Sequence, residues 1–411
     1  MKEFLAKENT LPNRYSLILV FSFIFITNAF KPWIDFYTPI HYQLITATQF
    51  IILVGFLTIF TKKFYKSLDL ISFIFLSYIL IKLLIESFLY IYENNILEIL
   101  SPIYVLLRAF LIVYLFRYLL DNTIEVNFYN RVMKIFFYYL IVTIIYSTLQ
   151  NPLFFGNSII SEYGGNSTSG NSLGIFRSNG GIGGTVIDYA NFILAVGWVA
   201  FFAQYRNKNF KRLFILLFFI SSIFCFSRSL FLCMIFMSTV MIINFSNIKR
   251  TLLSIILIAF SLIAFSYNFI FIFDSYSNLS GDSDIYRVSQ WADLFVDFSY
   301  LDFLVGKELG GNTGLFVTLD KYKISGDGFI TGFLYDAGLL GVILTLLVIV
   351  KAIFSISANI KVKFCILGSL MLMLIINSGF EKLFIIFCYI LAIGIVHGTN
   401  KHKKVKNSKY A

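Results

Sequence analysis

The chain has 411 residues, of which 58% are hydrophobic, 19% aromatic and only 13% charged, where a soluble domain has about a quarter of its residues charged. With a mean hydropathy of +0.81, a water-soluble globular fold is excluded. The net charge of +11 does not mark a nucleic-acid binder, because Lys and Arg stand in short clusters between apolar runs and not along one amphipathic face.

A helix needs about 20 apolar residues to cross a bilayer. Runs of that kind, bounded by charged or Pro/Gly breaks, predict spans at 15–30, 43–61, 69–92, 103–120, 132–150 and 185–204, then 213–226, 229–246, 251–273, 328–350, 363–378 and 383–399. The expected fold is an all-α polytopic integral membrane protein of about 12 transmembrane helices, forming one domain over residues 1–411. Barrel strands alternate apolar and polar over segments of about ten, so these continuous runs exclude an outer-membrane barrel. The first run lacks a small-residue cleavage site and reads as a retained signal anchor. Cys225, Cys233, Cys365 and Cys388 all fall inside apolar runs, as packing residues do and a disulfide framework does not.

Orientation follows from the excess of Lys and Arg in cytoplasmic loops. With both termini inside, most of the 33 Lys and Arg residues fall on inner segments, among them Lys62, Lys63, Arg131, Lys211, Arg212, Lys249, Arg250, Lys361 and Lys363. Two long polar loops, 151–184 and 274–327, then share the outer face, and long loops on one face point to a common site.

Residues 151–184 are rich in Gly, Ser and Asn and carry one cation, Arg177. Glycine-released backbone N–H groups and a following helix N-terminus make an anion cradle around that arginine; the alternative is a flexible, solvated loop. Asp188, one turn into the sixth span, is either a solvated helix-end charge or an orienting partner for Arg177. In 274–327, Ile285, Val288, Trp291, Phe295 and Phe298 recur at helical spacing and predict an amphipathic helix on the membrane surface. Arg287 beside that stripe is a phosphate clamp or a snorkelling, salt-bridged residue. Asp327, just before the tenth span, is a general base, an N-cap, or both, and Gly338 and Gly341 beyond it allow close helix packing.

Charges at membrane depth default to functional roles. Lys82 and Glu86 lie four apart on one helix face and neutralise each other. Arg108 has no local partner, so it faces the bundle interior, pairing with Glu86 or a ligand phosphate. Arg228 and Glu381 stand at outer mouths between spans. His41, His397 and His402 form no metal-ligand pattern with cysteine, and no P-loop occurs, so neither a metal nor another cofactor is expected and energy for any chemistry arrives in the substrate.

The Phe-rich polytopic chain, the two outer loops with Arg177 and Arg287, the Ser227-Arg228-Ser229 turn and the closing pattern G-D-G-F-x-x-x-x-L-x-x-x-G-L-L-G from Gly326 to Gly341 resemble the O-antigen polymerase (Wzy) family, within the superfamily that also holds the O-antigen ligases. The ligases tend to carry a His separated by ten intervening residues from a Gly at the end of the large outer loop; here Asp327 holds that place before Gly338, which favours polymerase over ligase. The Arg-to-Gly spacing of some polymerases is not met, since Asp188 and Phe298 stand where Gly would follow Arg177 and Arg287.

The resemblance implies a metal-independent glycosyltransferase of the bacterial inner membrane. It would join undecaprenyl-diphosphate-linked oligosaccharide repeat units on the periplasmic face, with a chain-length regulator and a flippase as partners. Cations belong at the departing diphosphate, where Arg177, Arg228, Arg287 and Arg108 are the candidates. A carboxylate belongs near the acceptor hydroxyl, where Asp327 and Glu381 compete. An O-antigen ligase, or a lipid-linked oligosaccharide flippase, is the alternative.

Overall fold

The computed structural model describes residues 22–27, 69–92, 100–120, 126–150, 178, 180, 186–205, 207–225, 227–242, 295–311, 329–376 and 383–408. Among these residues all regular structure is helical: α1 (Leu70–Tyr92), α2 (Leu100–Leu119), α3 (Val126–Gln150), α4 (Val186–Phe202), α5 (Lys208–Cys225), α6 (Arg228–Ile242), α7 (Tyr300–Val305), α8 (Phe329–Ser355), α9 (Ile360–Ile376) and α10 (Leu383–Ser408). Apart from the short α7, they fall on the third to eighth and the tenth to twelfth predicted runs. Of the first run only 22–27 is described, and 43–61 and 251–273 lie outside the described residues.

Helix starts follow local capping chemistry. Asp69 caps α1, its carboxylate accepting from the backbone N–H and the hydroxyl of Ser72, both at 3.0 Å. Asn207 accepts from the N–H of Asn209 at 2.8 Å ahead of α5, and Asn359 from that of Val362 at 2.8 Å ahead of α9.

Contacts between helix ends sort the bundle into two sides. The N–H of Gln204 donates to Thr399 Oγ1 at 3.1 Å, and Asn400 Nδ2 donates to the carbonyl of Phe202 at 2.9 Å, so α4 and α10 finish together. The N–H of Ser357 donates to His397 Nδ1 at 3.0 Å, adding the α8–α9 turn to that end. Lys351 pairs with Asp69 at 2.9 Å, adding the start of α1, and Tyr129, which donates to the carbonyl of Leu119 at 2.7 Å, lies with its ring against Gly398 of α10, adding the α2–α3 junction. Arg117, Arg131, Lys208, Arg212, Lys351, Lys361, Lys363 and Lys401 all stand on helix segments at this basic end. The opposite end, among the described residues, carries Lys307, the first residue of α6, Arg228, and Lys82, whose ammonium reaches the carbonyl of Gly306.

The array is built around α4, which packs against α3, α5, α6, α9 and α10. Nearly every residue of Val186–Phe202 is buried, as expected of a helix that is apolar all round. Trp198 donates to Ser369 Oγ at 3.0 Å, and Tyr389 donates to Asn191 Oδ1 at 2.5 Å, pinning α4 to α9 and α10. Phe25 seats segment 22–27 on α3 and α10 through edge contacts with Phe136, Tyr139 and Phe384. All four cysteines are buried free thiols.

Four helices, α1, α3, α8 and α10, contain stretches long and apolar enough to cross a bilayer; α4 and α6 hold shorter apolar ones. At 1.5 Å per residue the 23 residues of α1 reach about 34 Å, against a hydrocarbon core of about 30 Å. Phe73, Ile81, Leu84, Ile85 and Phe88 of α1 are exposed, an apolar strip that suits lipid and not water.

Candidate functional site

Tyr78, Lys82, Glu86 and Tyr90 recur at every fourth position of α1 and therefore share one face. Segment 305–310, from the second long loop, lies along that face. Tyr78 places its hydroxyl 3.0 Å from the carbonyl of Val305 and 2.6 Å from that of Ala337, donating between them. Lys82 donates to the carbonyl of Gly306 at 3.0 Å and pairs with Glu86 at 2.9 Å. Glu86 also accepts from the N–H of Leu309 at 2.7 Å, and Tyr90 donates to Glu308. From α2, Ser101 donates to the carbonyl of Gly310 at 2.7 Å. The polar stripe of an otherwise apolar helix is thus spent on satisfying non-helical backbone, which membrane depth demands.

The facing wall is α8, broken at Gly338 with φ +64° and ψ −176°. A break frees carbonyls from the helical ladder. Two are taken up across the gap: Ala337 by Tyr78, and Tyr335 by the N–H of Lys307 at 2.8 Å. A Cβ at Gly338 would sit 2.4 Å from the backbone of both Gly306 and Leu304, so the loop and the broken helix meet backbone to backbone. The sequence reading of Gly338 as a close-packing residue misses that the close approach comes with a left-handed turn.

Just ahead, α7 is a single helical turn closed by a reciprocal cap. Ser299 Oγ accepts from the N–H of Asp302, whose carboxylate accepts from the N–H of Ser299 at 3.0 Å. Those bonds from Ser299 hold the Asp302 carboxyl below the usual aspartate range. The ring of Phe298 lies tilted against that of Tyr335 of α8, centres 5.4 Å apart. Of the predicted surface helix over 285–298 only 295–298 is described, and there the chain turns.

The end of the first long loop is tied to the same side. Ser178 is fully buried, its N–H donating to the carbonyl of Phe224 and its hydroxyl to Ser147, both at 2.9 Å. Gly180, at φ +60°, lies against the ring of Tyr189 where a Cβ would clash. Tyr189 in turn is within 3.5 Å of Ser147 and 3.4 Å of Thr143. The hydroxyls of α3 and the aromatic ring of α4 so form a socket for residues 178 and 180.

Among the predicted site residues, Arg108 is described in full. It is 2% exposed in α2, with its guanidinium 5.7 Å from the ring centre of Tyr104. Glu86 is occupied by Lys82 and Leu309, so the expected Arg108–Glu86 alternative gives way to the Lys82–Glu86 pair that the four-residue spacing also predicts. Arg228 opens α6. Arg177, Arg287, Asp327 and Glu381 lie outside the described residues. Asp188 is 1% exposed, which corrects its reading as a solvated helix-end charge: α4 is enclosed on every side. The polar residues that sequence reasoning missed are Tyr78, Tyr90, Ser101 and Glu308. The signal for the first two was their four-residue register with Lys82 and Glu86; nothing local marks the others.

Fold and contacts together define a helical membrane protein in which residues 178, 180 and 305–311 are bound at the end of the array opposite the basic one. Compared with protein-family models, curated proteins and solved structures, the chain matches none.

Proposed function

We propose that the chain is an O-antigen polymerase, joining undecaprenyl-diphosphate-linked oligosaccharide repeat units on the periplasmic face of the bacterial inner membrane, with the basic end of the bundle and both termini in the cytoplasm. The observation that carries the reading is convergence. Residue 178 of one long loop and residues 305–311 of the other are bound to the same end, opposite the basic one. Beneath them Arg108 is buried in α2, seven residues or about 10 Å from Ser101. Anionic carrier phosphates are best held by permanently charged guanidinium groups.

In this reading an acceptor hydroxyl attacks the anomeric carbon of the growing chain. The new glycosidic bond forms as the bond to the lipid diphosphate breaks, and the electron pair leaves with the diphosphate. Arg177, Arg228, Arg287 and Arg108 balance the charge that develops there, and the hydroxyl proton passes to Asp327 or Glu381. Neither a metal nor another cofactor takes part.

Arg177→Ala and Arg287→Ala should each abolish long glycan chains while membrane insertion persists, leaving lipopolysaccharide with a single repeat. A normal ladder from both variants would overturn the assignment. The break in α8 favours a second reading, a lipid-linked oligosaccharide transporter, because transporters place discontinuous helices at their substrate sites. Deleting the gene separates the classes: polymerase loss leaves core plus one repeat, whereas transporter or ligase loss leaves bare core.

A further inference from the structure

Away from the polar clasp, α4, α5 and α6 leave an apolar groove of about 310 Å³ between them, lined by Phe201, Phe202, Phe219, Met234, Met237 and Met241. That volume lies at the lower edge of ordinary ligand pockets, roughly 300–1,000 Å³. The groove stands toward the basic end, since Phe202 closes α4 there and Met241 lies in the last turn of α6. Its floor is firm, with the ring of Phe201 at 5.3 Å from Phe218 and 6.2 Å from Phe219. Its opposite wall is made of methionines, which adapt to irregular apolar partners. Phe219 and Met241 are each 44% exposed, so the groove opens sideways, toward lipid.

Charge decides which lipid. Counting back from Phe219 along α5, Arg212 and Lys208 lie seven and eleven residues earlier, on the same helix face. Both are exposed, and Leu213, Leu216 and Ile223 continue the apolar strip around Phe219. One face of α5 therefore runs from two cations at the membrane boundary down to the mouth of an apolar groove. A lipid tail gains nothing by leaving other tails for such a groove, so occupancy must be selected at the headgroup. Basic residues flanking an interhelical recess select anionic headgroups.

We propose that the α4–α5–α6 groove is a binding site for one acyl chain of an anionic phospholipid in the leaflet at the basic end, its phosphodiester headgroup held by Lys208 and Arg212. The site is separate from the loop-bearing end and does not depend on the polymerase reading. Each Lys or Arg near an anionic surface contributes about a fivefold preference, so two together give about 25-fold.

The test is native mass spectrometry of the delipidated full-length protein titrated with dioleoyl-phosphatidylglycerol or dioleoyl-phosphatidylcholine. The wild type should retain phosphatidylglycerol about 25-fold more tightly. Lys208→Gln/Arg212→Gln, at exposed positions that leave the fold intact, should bring the two lipids to parity, and Ser238→Trp, at the groove lining, should remove binding of both. The control Lys361→Gln/Lys363→Gln changes other cations at the same end and should leave the preference in place. Equal retention of the two lipids by the wild type, or an equal loss in the control, would overturn the proposal, the latter by showing diffuse surface charge instead of a site. Retention undiminished by Ser238→Trp would overturn the groove as the tail's location.

Discussion

Lys82 ties α1 to the second loop at the loop-bearing end. Its ammonium joins Glu86 of its own helix to the Gly306 carbonyl of the second loop, with side chains only 12% and 10% exposed for the ion pair. Removing one partner of such a pair strands a buried charge, which costs about 3–5 kcal/mol. Lys82→Met is therefore expected to destabilise the protein by about 3 kcal/mol in detergent denaturation. Lys82→Met/Glu86→Gln removes the stranded charge and keeps an acceptor for Leu309, so it should recover at least half of that loss. A double variant as unstable as the sum of its singles would show that the two groups are not coupled. This pair was legible in the sequence because a four-residue spacing on a helix needs no tertiary information. Arg108 was legible as an inward-facing cation, but its neighbour Tyr104 was not singled out, although the same spacing joins them. Ser101 and Glu308 could not be read at all, since their partners, the Gly310 carbonyl and the Tyr90 hydroxyl, stand more than two hundred positions away along the chain.

At the scale of elements, the described helices apart from α7 were readable because each follows a continuous apolar run, whereas the departures from straight helix were not. Gly338 looks like any small residue in an apolar run; only the approach of Gly306, itself at φ +83°, explains why the helix breaks there. The burial of α4 was likewise invisible, since a helix apolar all round looks the same whether it faces lipid or other helices. The α7 turn is different, for Ser299 and Asp302 form a capping box written in four residues. Its carboxylate is held below its ordinary value by the bonds from Ser299. A depressed folded-state pKa adds stability above the unfolded value, about 3.9 for aspartate, and that stability is lost as pH falls through the folded value. Hydrogen exchange of residues 300–306 should therefore be slow and flat from pH 7 to about pH 5, after correction for intrinsic rates. Protection should then decline below about pH 4. In Asp302→Asn the protection should be lower at neutral pH, and the gap to wild type should close in acid. A gap that persists unchanged at pH 3 would mean that the charge of Asp302 is not what secures the turn.

Over the whole molecule, helix-end contacts and charge tell one story from independent sources. Hydrogen bonds, one ion pair and close packing group the ends of α2, α4, α8 and α10 with the starts of α1, α3 and α9, chain continuity adds the start of α5, and the described cations outside the clasp collect mostly at that end. The sequence reaches the same grouping from loop charges, without any contact, because cytoplasmic retention of Lys and Arg acts on the chain before it packs. What the sequence leaves open is the assembly of the site, which needs side chains from different loops to meet. The sidedness itself can be tested. Alkaline phosphatase fused after Gly311 should be active, because that position sits at the end expected in the periplasm, and fusions after Asn207 and Asn359 should be inactive at the opposite one. The Gly311 fusion is the most informative. It interrupts the chain after the clasp has formed with Tyr78, Lys82, Glu86 and Tyr90, so its orientation is set by segments already inserted. If it were inactive while the Asn207 fusion was active, the bundle would lie inverted, and a site holding carrier-linked glycans on the periplasmic face would have to be abandoned even though every contact described in the bundle remained in place.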